Sequence, residues 1–523
     1  MYRIIINVMN NINEKDILSY DLRMKMNKSN RALEFIESYK YEVLFLIFVF
    51  IRLLFIYTFD GLHHGDAISR TAGAHHMVYD FRLWPTEIWL PFPFWINYIF
   101  SAMFYDWIYT PRILPVIFVG AGLYFLARAI KNIISDHVAL AFFLLSTFST
   151  PHIFIEAANL SEPYYVALLG LFIWLMTIVD SKQTLKAYLA AAICLAFLCL
   201  TRYEAYLFLP FVTAMIMIRN KKEIFTGKMI LAFIIISTAV IYMFYMNYLF
   251  GGSILWGIEG EHVIEVANFY KMFSFNDSIN WYGGFLLMMP LSWLSLIFGT
   301  LGGGYAVIVS ESYWQKAIYL FLIAYVMFII KQFATGYIMP DYRYHYLSSI
   351  ILLYFSAYML GNLKIKSALF IFIGCFILMQ PFSYHRILEA HHYTINMDKG
   401  LSELIKFTKT KKEIRYKRHL IDRRIIYDNI SWHADIWSYY IDSHLYQKVF
   451  CLTENYPLIP ERTYSTESTL RCIKKGNVDF LILFNDGLVK RDFYSKKNPF
   501  VREQWNIIYS NLGYEIYERI RSN

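Results

Sequence analysis

A series of long apolar segments between residues 41 and 384 constrains the fold of this chain more than any other feature. A helix needs about 20 apolar residues to cross a membrane, and fewer when its flanking side chains reach the interface. A soluble chain needs a polar surface, and roughly a quarter of its residues are then charged. Here only 17% of the residues are charged and 57% are hydrophobic. The sequence therefore predicts that lipid surrounds most of this region.

The apolar segments predict an α-helical polytopic membrane protein with about eleven transmembrane helices. The predicted spans are 43–59, 113–129, 138–155, 164–179, 187–201, 205–218, 229–250, 284–308, 317–335, 345–360 and 367–381. The loop at 60–112 mixes tryptophans and prolines with aliphatic residues, a pattern typical of helices that lie in the membrane interface. This loop is therefore expected to hold interfacial helices.

The positions of the basic residues predict the orientation of the chain in the membrane. The net charge is +9, and many of the basic residues lie in short loops between apolar runs, which favours contact with lipid headgroups over nucleic acid. One set of alternate loops is rich in Lys and Arg: Arg128, Lys131, Lys182, Lys186, Arg219, Lys221, Lys222, Lys228, Lys316, Lys364 and Lys366. The positive-inside rule places that set in the cytoplasm, together with a polar N-terminal tail at 1–40. The loop 60–112, the loop 251–283 and the region after residue 384 then face the outside.

The chain divides into three predicted parts: the tail 1–40, a transmembrane domain 41–384, and an extracytoplasmic domain 385–523. In the last part polar stretches alternate with short apolar runs. Strands are predicted at 423–429, 448–452 and 478–485, and helices at 432–443 and 466–475. This alternation indicates a small α/β domain. We expect the protein in the cell membrane of a prokaryote; an endoplasmic reticulum membrane would give an equivalent topology.

Ionisable residues gather at the predicted outer ends of the spans. Charges at such depth are costly and tend to line a site or a pathway. Taken singly, each is equally well explained as a solvated helix-end residue or a structural ion pair, but their occurrence on one side favours a shared site. They are Asp66 and Arg70, Glu156 and Glu162, Arg202 and Glu204, and Asp341 and Arg343; Arg52 lies within the first span.

Four stretches resemble the GT-C superfamily of membrane glycosyltransferases, which includes the protein O-mannosyltransferases and the lipid A aminoarabinose transferases. The resemblance covers about residues 43–381. Its motifs are Asp66 after the first span, YTPRILPVIFVGAGLYFLARAI (109–130), LSEP (160–163) with TRYEAY (201–206), and YRYHYL (342–347). Many relatives have Asp-Glu at the first position, whereas here Ala67 follows Asp66. A single carboxylate is enough for a base, but a site with two acids becomes doubtful.

The resemblance implies transfer of a sugar from a polyprenyl-phosphate carrier to an acceptor hydroxyl on the outer face, with inversion at the anomeric carbon. Asp66 would be the general base that accepts the proton of the acceptor hydroxyl. Arg343 and Arg202 would bind the donor phosphate, where negative charge develops. Glu162 and Glu204 would orient these arginines or the sugar hydroxyls. Arg70, Asp341 and Arg52 are further supporting candidates, with internal pairing as the alternative for Arg52.

The partners implied are the lipid-linked donor, an unidentified protein, lipid or glycan acceptor, and membrane lipids, with no nucleic acid. No cofactor is expected. The alternative is a divalent cation near Asp66, since His63, His64, His75 and His76 lie close by in sequence, although their spacing matches no familiar ligand pattern.

Two other functions stay open for a chain of this kind. The first is a transporter or flippase of lipid-linked glycans, which would favour internal repeats and charges deep in many spans. The second is a polymerase or ligase of such glycans, in which the large outer loop usually lies later in the chain. The sequence has no visible repeat, and its long loop is early, so the transferase is the preferred interpretation.

Overall fold

The computed structural model describes a helical body followed by a small sheet. The residues described are 38–58, parts of 67–89, 90–104, 106, 109–182, 184–206, 209–210, 226–255, 290–310, 313–334, 346–362, 374, parts of 403–411, 419–421, 479–484, 505–511 and 514–520. The predicted span 367–381 and most of 205–218 lie outside these ranges. So do the predicted strands at 423–429 and 448–452 and the predicted helices at 432–443 and 466–475.

Helices account for nearly all of the described residues before position 363. They are α1 (Lys40–Thr58), α2 (Phe92–Phe104), α3 (Thr110–Ile133), α4 (Asp136–Thr147), α5 (Thr150–Glu156), α6 (Ser161–Lys182), α7 (Leu185–Cys199), α8 (Gly227–Gly251), α9 (Pro290–Val309), α10 (Tyr313–Ala334) and α11 (Tyr346–Asn362). Most coincide with predicted spans to within a few residues. α2 lies inside the loop 60–112, the predicted first outer loop.

Four of these helices are long and apolar enough to cross a membrane: α1, α3, α6 and the part of α8 from Gly227 to Leu249. Several shorter helices, among them α4, α7 and α11, are also apolar. The prediction of a helical integral membrane protein is therefore confirmed, while the number eleven stays a prediction.

Local sequence signals set several helix ends. The Ser135 hydroxyl accepts a hydrogen bond from the Val138 backbone N–H at 3.3 Å at the start of α4. At the start of α3, the Asp106 carboxylate accepts one from the Thr110 backbone N–H at 2.6 Å, and Pro111 occupies the first turn. The predicted span 138–155 is divided into α4 and α5. Pro151 explains the break, because it cannot donate the backbone hydrogen bond that would join the two helices.

α3 and α6 pack closely and run in the same direction. Near their first turns the rings of Phe118 and Tyr164 are 5.3 Å apart, and further along those of Phe125 and Trp174 are 4.8 Å apart. Between these pairs, a Cβ atom added to Gly170 would overlap the Gly122 carbonyl. Small residues at such positions allow helix backbones to approach closely.

α11 runs antiparallel to α4 and α5. Its first residue, Tyr346, makes an edge-to-face contact with the His152 ring at 4.9 Å. Near its other end, a Cβ atom added to Gly361 would lie 3.2 Å from the Val138 Cα. These directions agree with the alternation that the positive-inside rule predicts.

Gly299 and Gly302 of α9 pack against the backbone of α11. A Cβ atom added to Gly299 would lie 2.7 Å from the Leu352 carbonyl oxygen, and one added to Gly302 would overlap the Phe355 carbonyl. The glycine-rich run 299–304 is thus a helix contact rather than a phosphate-binding loop.

The predicted cytoplasmic end of the bundle holds a charged cluster that joins α1, α3 and α4. The Asp136 carboxylate pairs with Lys40 and, at 3.0 Å, with Lys131. It also accepts a hydrogen bond from the Tyr41 hydroxyl at 3.0 Å. We name these four residues the Asp136 cluster.

The C-terminal part contains a four-stranded sheet with strand order β1-β2-β4-β3. The strands are β1 (His419–Ile421), β2 (Phe480–Phe484), β3 (Trp505–Ser510) and β4 (Tyr514–Arg519). β1 pairs with β2 in parallel, and the other pairs are antiparallel. The predicted strand 478–485 corresponds to β2. Phe407, in a short helical segment, stacks on Tyr509 of β3 with ring centroids 4.4 Å apart.

Candidate active site

Arg52 and Glu156 form an ion pair with no solvent exposure. The Arg52 Nε donates to the Glu156 Oε2 at 2.7 Å, and both side chains are 0% exposed. The guanidinium also donates to the carbonyls of Thr147 and, at 3.1 Å, Ser146, at the end of α4. Its plane lies 3.7 Å from the Phe48 ring centroid. The positive charge of Arg52 is therefore compensated by the Glu156 carboxylate, by the two backbone carbonyls and by the face of the Phe48 ring.

The described parts of the first outer loop are attached to the turn that follows α5. The Arg70 guanidinium donates to the Asn159 carbonyl at 2.7 Å and lies 5.3 Å from the Trp89 ring centroid. The Asn159 side chain donates to the Thr71 hydroxyl at 2.8 Å and accepts from the Asn97 amide of α2 at 2.8 Å. This buried network fixes the loop residues immediately after Ala67 against the start of α6.

Arg202 lies between two carboxylates. It pairs with Glu162, at the start of α6, and its Nη2 lies 2.5 Å from the Glu204 Oε1. The Arg202 Nε donates to both Glu204 oxygens at 3.0 Å, and its Nη1 donates to the Ser161 hydroxyl at 3.0 Å. At least four of the five guanidinium N–H groups are therefore engaged.

One short segment contacts all three of these arginines. We name residues 156–162, from the end of α5 to the start of α6, the arginine turn. Its Glu156 binds Arg52, its Asn159 carbonyl binds Arg70, and its Glu162 binds Arg202. Because these arginines are far apart in sequence, the turn is the point where three regions of the chain converge.

α11 adds a fourth region. The Tyr346 hydroxyl, from the YRYHYL motif, donates to the Glu156 Oε1 at 2.7 Å. Tyr346 also lines a small cleft beside Arg202. The described residues that line this cleft are Glu162, Tyr165, Val166, Arg202, Glu204, Tyr325, Tyr346 and Leu347. We name it the Tyr165 cleft, after a tyrosine buried at its wall.

Solved structures share this arrangement of helices. ArnT from Cupriavidus metallidurans, solved with bound undecaprenyl phosphate, superposes with a TM-score of 0.59 at 12% identity, over 92% of this chain and 99% of that chain. The Archaeoglobus fulgidus oligosaccharyltransferase AglB, solved with an inhibitory peptide and a dolichol-phosphate, gives a TM-score of 0.50 at 10% identity, over 86% and 70%. The chain has the GT-C fold. No protein-family model matches the sequence, and no curated protein does so either.

Within the GT-C fold, five of the predicted site residues fall among the described residues and three do not. Arg52, Arg70, Glu162, Arg202 and Glu204 lie on or next to the arginine turn. Asp66, Asp341 and Arg343 lie outside the described residues, as do His63, His64, His75 and His76. The neighbour of Asp66 in the chain, Ala67, is fully buried in the main core. Among the residues described, no group of three or more His, Cys, Asp or Glu side chains is placed to hold a metal ion.

Sequence reasoning missed several polar residues of this region. Asn97 lies in the apolar run FWINYIF, Asn159 lies in AANLSEP, and Tyr165 follows LSEP. A lone amide within an apolar segment is itself a signal, because an unsatisfied polar group there is costly. Tyr165 carried no such signal, since buried tyrosines are common in helix cores.

Proposed function

We propose that the protein is a glycosyltransferase that moves a sugar from a polyprenyl-phosphate carrier to an acceptor hydroxyl. One observation carries the proposal: two solved proteins with this fold were obtained with polyprenyl phosphates, undecaprenyl phosphate in ArnT and dolichol-phosphate in AglB. The arginine turn and the Tyr165 cleft also support it, because they bring charged and hydroxyl groups together at one end of the bundle.

The proposed chemistry is a single displacement with inversion at the anomeric carbon. Asp66, ionised and within about 2.6–3.2 Å of the acceptor hydroxyl, takes its proton as the oxygen attacks. The leaving phosphate requires a cation where charge develops, and Arg343 and Arg202 are the candidates. The proposal for Asp66 is supported by the burial of Ala67 in the main core and by the hydrogen bonds of Arg70 and Thr71 to Asn159.

Arg70, Asp341 and Arg52 have supporting roles in this proposal. Arg52 and Glu156 maintain the shape of the arginine turn, and Arg70 attaches the first outer loop to it. No cofactor is required, although a divalent cation near Asp66 is compatible with the proposed chemistry. The acceptor is a peptide or a glycan; a related AglB structure carries a tethered acceptor peptide.

We further propose that the site faces the outside of a cell membrane. In this arrangement residues 1–40 are cytoplasmic, residues 41–384 cross the membrane, and residues 385–523 form an extracytoplasmic α/β domain. The Asp136 cluster and the arginine turn lie at opposite ends of α4 and α5, and the basic loops support the orientation that puts the Asp136 cluster in the cytoplasm.

The decisive experiment incubates purified protein with a panel of radiolabelled polyprenyl-phosphate sugars and crude membranes as the source of acceptor. We expect label from at least one donor to move into an acceptor that can be separated from the carrier lipid. The same donors in sealed vesicles, without acceptor, measure transport. Movement of label across the vesicle membrane with no transfer would contradict the proposal and favour a flippase.

A further inference from the structure

A partly buried arginine at the predicted cytoplasmic end of the bundle makes no hydrogen bond among the described residues. Arg128 lies in α3, five residues before the last residue, Ile133. Its Cα is therefore about 8 Å along the helix from that end. The guanidinium contacts only the rings of Tyr41 and Tyr124 within the described part of the chain, at 6.0 Å and 5.8 Å from their centroids. A cation at this depth needs an acceptor for its N–H groups, and the described residues supply none.

Two further cations surround the same tyrosine ring. Tyr41 is 2% exposed. The Nζ atoms of Lys40 and Lys131 lie 5.9 Å and 5.6 Å from its ring centroid, about as far as the Arg128 guanidinium. The Asp136 carboxylate pairs with both lysines and forms no ion pair with Arg128. The anion of the Asp136 cluster is therefore already shared, and Arg128 is the cation that it leaves uncompensated.

Glu42 is the second carboxylate close to these cations. It accepts a hydrogen bond from the Tyr124 hydroxyl at 2.8 Å, and none of the described Lys or Arg side chains pairs with it. Among the described residues, three cations at this corner therefore meet two carboxylates. The residual charge is positive. Basic pockets between transmembrane helices at the cytoplasmic side are suited to anionic lipid headgroups.

An exposed apolar face continues from this corner along α1. Leu46 and Phe50 follow Glu42 at intervals of four residues, so the three side chains lie along one face of the helix. Leu46 and Phe50 are each 65% exposed. In a membrane, such side chains contact acyl chains. A lipid whose phosphate lies at Arg128 can place its chains on this face, whereas a free phosphate ion would use the charged corner alone.

We propose that Arg128 binds the phosphate of an anionic phospholipid where the end of α3 meets the start of α1. The rings of Tyr41 and Tyr124 position the guanidinium, and its N–H groups donate to the phosphate oxygens. The excess of positive charge selects a lipid with a net negative headgroup. This site lies at the opposite end of the bundle from the arginine turn, so the inference does not depend on the proposed glycosyltransferase function.

The test counts lipids bound to the purified full-length protein by native mass spectrometry in a neutral detergent. The probes are phosphatidylglycerol, which is anionic, and phosphatidylethanolamine, which carries an ammonium group beside the same phosphate. We expect the unmodified protein to bind the first phosphatidylglycerol more tightly than the first phosphatidylethanolamine. Arg128→Gln should weaken the binding of phosphatidylglycerol about ten-fold or more, the value of a hydrogen bond between charged groups. The preference for the anionic lipid should then disappear.

Lys182→Gln is the matched control for a general attraction between anionic lipids and a basic surface. Lys182 is exposed at the end of α6, on the same predicted side of the membrane, and is not among the cations around the Tyr41 ring. This variant should bind phosphatidylglycerol as the unmodified protein does. Arg128→Lys keeps the charge but has fewer donors, so we expect an intermediate affinity. It tests the site even if Arg128→Gln does not fold.

Four results would overturn the proposal. Equal affinity of the unmodified protein for the two lipids would exclude selection by charge. Undiminished binding of phosphatidylglycerol to both Arg128 variants would exclude Arg128 as the binding group. Equal losses in Arg128→Gln and Lys182→Gln would show that the whole basic surface attracts the lipid without a defined site. Displacement of phosphatidylglycerol by an equal concentration of inorganic phosphate would identify a free anion as the ligand.

Discussion

Arg52 and Glu156 are oppositely charged and fully buried, and each compensates the cost of burying the charge of the other. Loss of one partner from a buried pair leaves an uncompensated charge and costs about 3–5 kcal/mol. We therefore expect Arg52→Leu to lower the heat-induced unfolding temperature of the detergent-purified protein markedly. The double variant Arg52→Leu with Glu156→Leu should recover much of the loss, because replacing both charges by apolar groups is often close to neutral. Equal unfolding temperatures for the single variant and the unmodified protein would contradict this prediction.

Arg128→Gln provides the comparison for that experiment. Arg128 is only partly buried and lies 6.0 Å from the Tyr41 ring centroid and 5.8 Å from that of Tyr124. A cation in that position contributes about 0.5–1 kcal/mol, so its removal should have a much smaller effect than removal of Arg52.

Asp66 is the residue on which the proposed chemistry depends most. Asp66→Asn keeps the shape of the side chain but removes its ability to accept a proton. We expect this variant to insert and purify normally and to lose transfer activity by at least about a hundred-fold, the lower range for one acid–base group. The measurement compares the rate at which the purified variant and the unmodified protein transfer label from the active donor. Undiminished turnover by the variant would remove Asp66 from the mechanism.

The sequence predicted that several charged residues lie at the same end of the bundle, but it did not predict their partners. Hydropathy and the positive-inside rule were enough to place Glu162 and Arg202 on one side of the membrane. The pairing of Arg202 with Glu162 joins residues 40 positions apart, and that of Arg52 with Glu156 joins residues 104 apart. Such contacts depend on how the helices pack, and a single sequence gives span positions without giving neighbours.

At the scale of elements, α9 and α11 offer a direct test of close helix packing. A Cβ atom at Gly302 would overlap the Phe355 carbonyl, whereas one at Gly304 of the same helix meets no described atom within 4 Å. We expect Gly302→Ala to destabilise the protein by about 1–3 kcal/mol through overpacking. Gly304→Ala should be neutral or stabilising by up to about 1 kcal/mol, because alanine favours the helix. Thermal unfolding of both variants gives the comparison, and equal effects would contradict the contact.

The Asp136 cluster joins three helix ends and should make stability depend on acid pH. Desolvation by burial raises the pKa of Asp136, but hydrogen bonds from Lys40, Lys131 and Tyr41 outweigh it and lower the pKa to about 2. A lowered carboxyl pKa stabilises the fold above its ordinary value near 4, and this contribution disappears as the pH falls through about 2. Since the side chain is 33% exposed, the effect is small, about 0.2–1 kcal/mol.

Asp136→Asn isolates this contribution from other acidic groups. We expect the variant to unfold at a lower temperature than the unmodified protein at pH 6, and the difference to vanish as the pH approaches 2. Unfolding midpoints measured in steps between pH 6 and pH 2 provide the check. A difference that stayed constant with pH would show that the loss came from packing alone.

The sequence predicted the element boundaries well where hydropathy changes sharply, and poorly where it does not. The break between α4 and α5 was missed because the apolar residues before Ser146 and after Pro151 were taken as one span, although Pro151 signalled the break. β3 and β4 were missed as well, although runs rich in isoleucine and aromatic residues lie on both sides of the Asn511–Gly513 segment. A short segment of turn residues between two such runs is typical of a hairpin.

The orientation of the whole molecule is the prediction that links all of these features. The described contacts fix the relative directions of the helices: α3 and α6 are parallel, and α11 is antiparallel to α4 and α5. Relative directions do not distinguish the inside from the outside. The basic loops provide the prediction, because the positive-inside rule predicts that the Asp136 cluster is cytoplasmic and that the arginine turn is at the outer face.

Serine-to-cysteine substitutions at exposed positions test this orientation directly. The five native cysteines are first replaced, and single cysteines are then placed at Ser181, Ser253 or Ser510, all of which are exposed. A membrane-impermeant maleimide applied to intact cells should label Ser253→Cys and Ser510→Cys, which are predicted to be outside. Ser181→Cys should react only after the membrane is opened. The reverse pattern would place the arginine turn in the cytoplasm, and an outward-facing glycosyltransferase would then be excluded.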